Sequence, residues 1–600
     1  SRPRGFLRMR ILLATAVAIA PLMAATGAMA DVVISTTRTT PITTGNATGT
    51  GPDNVRIDSG GTINVSGGTA VTVDSSHNFT LASGGRITIP NAADGSTAVL
   101  VNPGVTSTIN IGGQILVTDT IDQYPDTDND GDIDGPWATG SNKYGVRLAA
   151  GAPVVGNIIV GTAGSITVEG NNSYGISIES GLTGNIVSQG AINVAGTNSV
   201  GISTTGAVSG NIDLLGQVNA RGEGASAVTI GADVGGRLNL QGAFSATGYR
   251  YTARGSDAAE ARLEAEDKLQ GGPGVIVAAD VAGGVILSAP PTASTTDTDV
   301  DDDGIPDAQE TTGSITVVGG APALAIGSNT RSVTLGVVGT GNEAFGLINR
   351  GVISATGLYD GIAASGVVLG GNAGQAVTVN GGIRNEGNIA AGASRADAVA
   401  VRLGTGATTP VMFNSGNLTA TVTTNGASRA TAVQIDTGAN LPSFTNDGGI
   451  LATAVGGGAT ATGFRDLSGT VTSFNNTGTI QAGVAQGDAS AITGQAIAVD
   501  LRANTSGVTL VQSGIASTPS VSDPDSDGDG VTDSNEPIIG GSILLGSGAD
   551  VIDIRNGVVR GDIDFGSGAD TLTITGGAEV SGSLFTADGN LSINVANGTL

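Results

Sequence analysis

The chain has no cysteine. Disulfide staples, thiolate nucleophiles and cysteine-ligated zinc or iron–sulfur centres are therefore excluded. A chain without disulfides also suits passage across a membrane in the unfolded state. Aromatic residues make up 3% of the sequence and Trp137 is the only tryptophan, so a large globular core built on aromatic anchors is excluded as well. His77, in "VDSSHNF", is the only histidine and is expected as an exposed turn residue. One histidine permits at most one His-dependent triad, and there is no G-x-S-x-G elbow, phosphate loop or zinc cluster. No catalytic residue or organic cofactor site emerges, and the expectation is a non-enzyme. Lysine occurs only at Lys143 and Lys268, and the formal net charge is −27. That balance argues against nucleic acid and anionic lipid as partners and suits cation binding or simple solubility.

What is present is glycine, 99 residues of 600, among Val, Ile, Ala, Thr, Ser and Asn. At 39% the hydrophobic content is too high for disorder. Four segments repeat at steps of 26 residues: "GSITVEG" at Gly164, "GAINVAG" at Gly190, "GQVNARG" at Gly216 and "GAFSATG" at Gly242. Each unit holds three short strand-like runs, in the first unit Ser165–Val168, Tyr174–Ile178 and Asn185–Val187. A second series, N-x-G-x-[IL], starts at Asn349, Asn385, Asn414, Asn446 and Asn476, at steps of 36, 29, 32 and 30. A unit this small cannot bury its own apolar side, but stacking the next unit on it can. Each strand then pairs in parallel with its counterpart one coil away, with Ile166 and Val168 inward and Thr167 and Glu169 outward. The fold class expected is all-β, a right-handed parallel β-helix solenoid with three short strands per coil and loop insertions. An array of β-sandwich modules repeats near 100 residues and buries an aromatic per module, so the short period and the single Trp137 disfavour it.

"MRILLATAVAIAPLMAATGAMA" has a basic start at Met9, an apolar run and an A-x-A site at Ala28–Ala30. Residues 1–30 read as a signal peptide, with Met9 as the start and the mature chain beginning at Asp31. The expected localisation is therefore export, to the cell surface or outer membrane or to the medium. Together with the cysteine-free Gly/Thr/Asn-rich coils and the N-x-G-x-I strands, this leader resembles the passenger region of bacterial autotransporters, over roughly residues 31–600. The resemblance rests on composition and period. It implies a C-terminal outer-membrane β-barrel beyond Leu600 as the membrane contact, and a structural or adhesive role at a host or neighbouring cell surface or an extracellular polysaccharide. Two other readings stand beside it: a β-helical polysaccharide lyase or hydrolase, and a released S-layer or biofilm protein that binds calcium.

Three acidic loops interrupt the coils, at about 122–136, 292–311 and 519–537. "DSDGDGVTDSNE" places Asp525, Asp527, Asp529, Asp533 and Glu536 at positions 1, 3, 5, 9 and 12 of an EF-hand-like calcium loop, with Gly530 at 6. "DVDDDGIPDAQE" does the same with Asp299, Asp301, Asp303, Asp307 and Glu310. "DTDNDGDIDGPW" supplies Asp126, Asp128, Asp130 and Asp134, but Trp137 replaces the twelfth acid. Alternate carboxylates on a tight turn repel one another unless a cation joins them, so Ca²⁺ is the expected ligand, weaker in the first loop. The loops resemble the helix-free calcium repeats of thrombospondin type 3. Ile305 and Val531 are expected to lend backbone carbonyls at position 7.

Three lesser features complete the reading. "LGSGADVID" and "FGSGADTLT" resemble the RTX calcium nonapeptide, but their step is 20 residues where RTX arrays step by nine, so glycine corners with Asp550 and Asp570 outward are expected. Arg560–Asp562 is an R-G-D tripeptide at a corner. Ser256–Gln270 is rich in helix formers, with Ser256 as N-cap and Leu263 and Leu269 facing the coil.

Overall fold

The computed structural model describes residues 31–119, 125–127, 129, 133–292, 294–300, 306–371, 374–423, 426–487, 491–526 and 528–600. Residues 1–30, read above as a signal peptide, therefore lie outside the described residues. The chain forms a parallel β-helix: three long ladders of 17, 17 and 18 strands, every recorded pair parallel. Sheet 1 here contains Ser165–Glu169, sheet 2 Tyr174–Ile178 and sheet 3 Ile186–Ser188. Each ladder is open, since among the described residues no pair joins its first strand to its last.

The 26-residue period becomes exact register. Ile166 pairs with Ile192, Ile192 with Val218, and Val218 with Phe244, all of them buried. Side chains alternate as the pleat demands: Ile166 and Val168 point in, Thr167 and Glu169 out. The turn glycines stack too closely for any side chain. A Cβ on Gly216 would lie 1.9 Å from the carbonyl oxygen of Gly190, and one on Gly242 1.8 Å from that of Gly216. A fourth, shorter ladder lies between sheets 2 and 3, through buried Val154, Leu182, Val208, Val234, Val281 and Leu335. The three-strand unit missed it because these are single apolar residues between turns, too short to show a period. The narrow core still admits rings, with Phe444, Phe464 and Phe474 in mutual contact at centroid distances of 4.5–5.1 Å.

The N-x-G series is a buried amide ladder on sheet 3. Asn349 Nδ2 donates to Asn385 Oδ1 (2.7 Å), Asn385 to Asn414 (2.7 Å), Asn414 to Asn446 (2.7 Å) and Asn446 to Asn476 (2.9 Å). From Asn385 onward each amide also donates to the carbonyl two residues ahead, as Asn414 does to Gly416 at 3.2 Å. Asn414→Ala removes one rung, leaving one N–H of the Asn385 amide without its acceptor and Asn446 Oδ1 without its donor. The expected loss is about 3 kcal/mol, with faster amide exchange at Ile383–Asn385 and Ser443–Asn446. Unchanged exchange there would show that the ladder does not hold the coils.

Candidate metal centres at the coil corners

Each acidic loop joins a strand of one sheet to a strand of the next. The second runs from Val285–Leu287 of sheet 3 to Ser314–Val318 of sheet 1, and the third from Thr509–Gln512 to Ile538–Gly540 across the same corner. The first joins Gln114–Val117 of sheet 1 to Tyr144–Leu148 of sheet 2.

All three close in the same way. The amide of position 9 donates to the carbonyl just before position 1: Asp134 to Pro125 (3.3 Å), Asp307 to Thr298 (2.9 Å) and Asp533 to Pro524 (2.8 Å). The amide of position 2 donates to the carboxylate of position 9: Thr127 to Asp134 (2.6 Å), Val300 to Asp307 (3.0 Å) and Ser526 to Asp533 (2.8 Å). In the first loop the Thr127 hydroxyl and amide hold the Asp134 carboxyl below the ordinary aspartate value. In the third, Asp525 accepts from the amides of Gly528 (2.7 Å), Asp529 (3.1 Å) and Gly530 (3.0 Å). Gly528 and Gly530 both take positive φ there (76° and 94°), and Asn129 does so at position 4 of the first loop (60°). These turns wrap the backbone around the position-1 carboxylate.

Asp128, Asp130, Asp301, Asp303, Ile305 and Asp527 lie outside the described residues. Among the described residues no three acidic side chains converge as a ready-made cage. Asp126 and Asp299 stand at the mouths of their loops. Glu310 is buried and accepts from the Gln241 side chain, which turns it onto the coil, while Glu536 is half-buried. Asp529 accepts from Asn556 of a neighbouring turn. Val531 seats the third loop by burying its side chain against Gly514, where a Cβ would lie 2.3 Å from it. The donor set is all oxygen, which fits a hard cation such as Ca²⁺. Drawing the acids together would require them to exchange some backbone N–H partners for the ion.

The first loop has a base that sequence reasoning missed. Lys143 is fully buried, with its Nζ 3.2 Å from Asp119 Oδ1. Asp119 also accepts from the amides of Thr139 (2.6 Å) and Gly140 (2.7 Å). Burial works to raise the Asp119 pKa, but those two amides and Lys143 outweigh it and hold it below the ordinary value. A lysine in a chain with only two was the available signal. Across this loop, Trp137 donates to the Gly248 carbonyl (3.2 Å) and stacks under Arg250.

Compared with protein-family models, curated proteins and solved structures, the chain finds no match.

Other expectations need correction. Asp550 and Asp570 face inward, 1% and 2% exposed: Asp570 opens the strand Asp570–Ile574 at an inward position, and Asp550 immediately precedes the aligned strand Val551–Ile554. Val508 donates to Asp550 Oδ1 (2.8 Å) and the Asp550 amide to Asp570 Oδ1 (2.9 Å), whereas the second oxygen of each has no hydrogen-bond partner among the described residues. Burial, with the neighbouring Asp570 adding to it, pushes the Asp550 carboxyl up to about 6 against the pull of the Val508 amide. The predicted helix is four residues, Asp257–Glu260, capped by Ser256 as expected, and Leu263 packs beside Tyr249, Leu358 and Tyr359. His77 is half-buried and hydrogen-bonded to Ser75 (3.0 Å). The R-G-D tripeptide lies at a corner as expected, where Asp562 accepts from the Ser583 amide (2.9 Å).

Proposed function

We propose that this chain is an exported β-helical surface scaffold of the autotransporter-passenger kind, with calcium-ordered loops at its corners and a structural or adhesive role. The observation that carries the reading is the shared closure of three separate acidic loops, each aligning position 9 on position 2 and on the residue before position 1. A solvated acidic linker has no reason to repeat that closure three times at two different corners. Export places the loops where calcium is abundant, and a rod of stacked coils holds them at fixed separations along its length.

The test is calorimetric titration of Ca²⁺ into the exported chain, whose N-terminus should read "DVVIST" from Asp31. Because binding must order the loops, the expected Kd is about 10⁻⁴–10⁻³ M. Asp299→Asn with Asp525→Asn keeps a hydrogen-bond acceptor but removes charge, and should weaken binding about tenfold or more. Equal binding by the double variant would remove the assignment. The β-sheet circular dichroism should survive chelation, since the strands pair without the loops.

A further inference from the structure

On the outer face of sheet 2, away from the acidic loops, three arginines gather in a chain of net charge −27. Arg402, Arg429 and Arg465 line an open trough of about 410 Å³ whose floor carries Ser365, Thr431 and Gln434. Arg402 aligns with Gln434 and Gln434 with Arg465, so one column on three successive coils alternates guanidinium, amide, guanidinium. Arg429 enters from the other end of its strand.

The acids facing the trough leave two of its three guanidinium groups without a hydrogen-bonded carboxylate. Asp436 is taken by Arg402 (2.7 Å) and by the Gln434 amide (2.7 Å). Asp500 is held by Arg502 through two bonds of 2.8 Å, leaving Arg465 at 3.8 Å, beyond hydrogen-bonding reach. Asp397 accepts from the backbone amide of Arg429 (2.8 Å), and among the described residues no ion pair is recorded for the Arg429 guanidinium. Partial burial lowers the Arg465 pKa, with Arg429 and Arg502 adding to that and Asp500 opposing it. Arg429 and Arg465 thus line the trough without a hydrogen-bonded carboxylate among the described residues, whereas Arg402 is paired with Asp436.

The geometry points to this trough as a binding site for an anionic polysaccharide, a sugar chain bearing carboxylates or sulfates, laid along the solenoid axis. Planar guanidinium forks suit carboxylate and sulfate oxygens, and the hydroxyls and amide of the floor suit sugar hydroxyls. Coils rise about 4.8 Å, close to the advance of one pyranose in an extended chain, so Arg402 and Arg465 meet every second residue. Other polyanions fit less well. The trough lining has no aromatic ring for base stacking, and the sheet's interior strands offer no free edge to a peptide. The site is independent of the calcium loops.

The test is binding of polygalacturonate, dextran sulfate and neutral dextran to the whole chain, by calorimetry in low salt with EDTA present. The chelator silences any calcium bridge, so failure of the loop reading cannot imitate failure here. One or both anionic chains should bind, and which of them does so distinguishes carboxylate from sulfate. Neutral dextran should not bind. Arg429→Ala and Arg465→Ala should each weaken binding about tenfold with unchanged circular dichroism, and Arg429→Lys should recover only part of it. Absence of binding by either anionic chain, binding unaffected by both variants, or equal binding of duplex DNA would overturn the proposal.

Discussion

Asp119→Ala should destabilise the coils around the first loop by about 3–5 kcal/mol, the usual consequence of leaving one member of a buried ion pair without the other. Lys143 has no exposed surface, and its ammonium lies 3.2 Å from the carboxylate that the substitution removes. The same substitution frees the amides of Thr139 and Gly140, which fasten the far side of the loop to Asp119. Urea unfolding should move to lower concentration, and proteases should nick between residues 119 and 143. The double variant Asp119→Ala, Lys143→Met removes the stranded charge and should regain most of the loss. A single variant as stable as wild type would mean that the pair is solvated in solution.

The second large effect has the opposite sign. Asp550 titrates at about 6 in the folded chain against an ordinary value of 3.8. Folding therefore favours its protonated form. That contribution is complete below the ordinary aspartate value and is lost as pH rises through about 6, so at pH 7.5 the ionised, buried carboxylate costs about 3 kcal/mol relative to acid. Asp550→Asn keeps an acceptor for the Val508 amide and presents a donor beside the Asp570 carboxylate. It should stabilise the C-terminal coils at pH 7.5 and make little difference at pH 4. Hydrogen exchange at Ile552 and Leu572 is the local readout, because in a solenoid each coil answers mainly to its neighbours. A benefit that is the same at both pH values would exclude the titration as its cause.

Much of the fold was legible because its period is short and its signals repeat. Ile166, Ile192 and Val218 occupy one position of a 26-residue unit, and one alternation pattern placed them all inside. The loop corners were legible for the same reason, each lying between recognisable strands. What repetition does not encode was missed. Lys143 and Asp119 meet across a loop, and nothing in either one's neighbours marks them as partners. Asp550 and Asp570 sit in glycine-rich turns whose polarity reads as surface, yet the register turns them inward. Arg402, Arg429 and Arg465 converge only because strands of three successive coils align. The helix ended after one turn because the segment packs on the coil through Leu263 and through Arg254, which reaches Asp360 (2.9 Å), rather than through a continuous helical face.

The open ladders have a mechanical consequence. Every hydrogen bond between coils runs along the rod, so tension applied at its ends loads those bonds one coil after another. No disulfide ties distant coils together. Pulled from one end, the chain should peel as a thread leaves a spool. Each 26-residue turn would release roughly 90 Å of extended chain while the coils beyond it stay wound. Peeling meets extra resistance where Arg254 and Arg395 both grip Asp360, because there an excursion from one coil clasps strands further along. Under such a load the rod would lengthen coil by coil instead of failing at once.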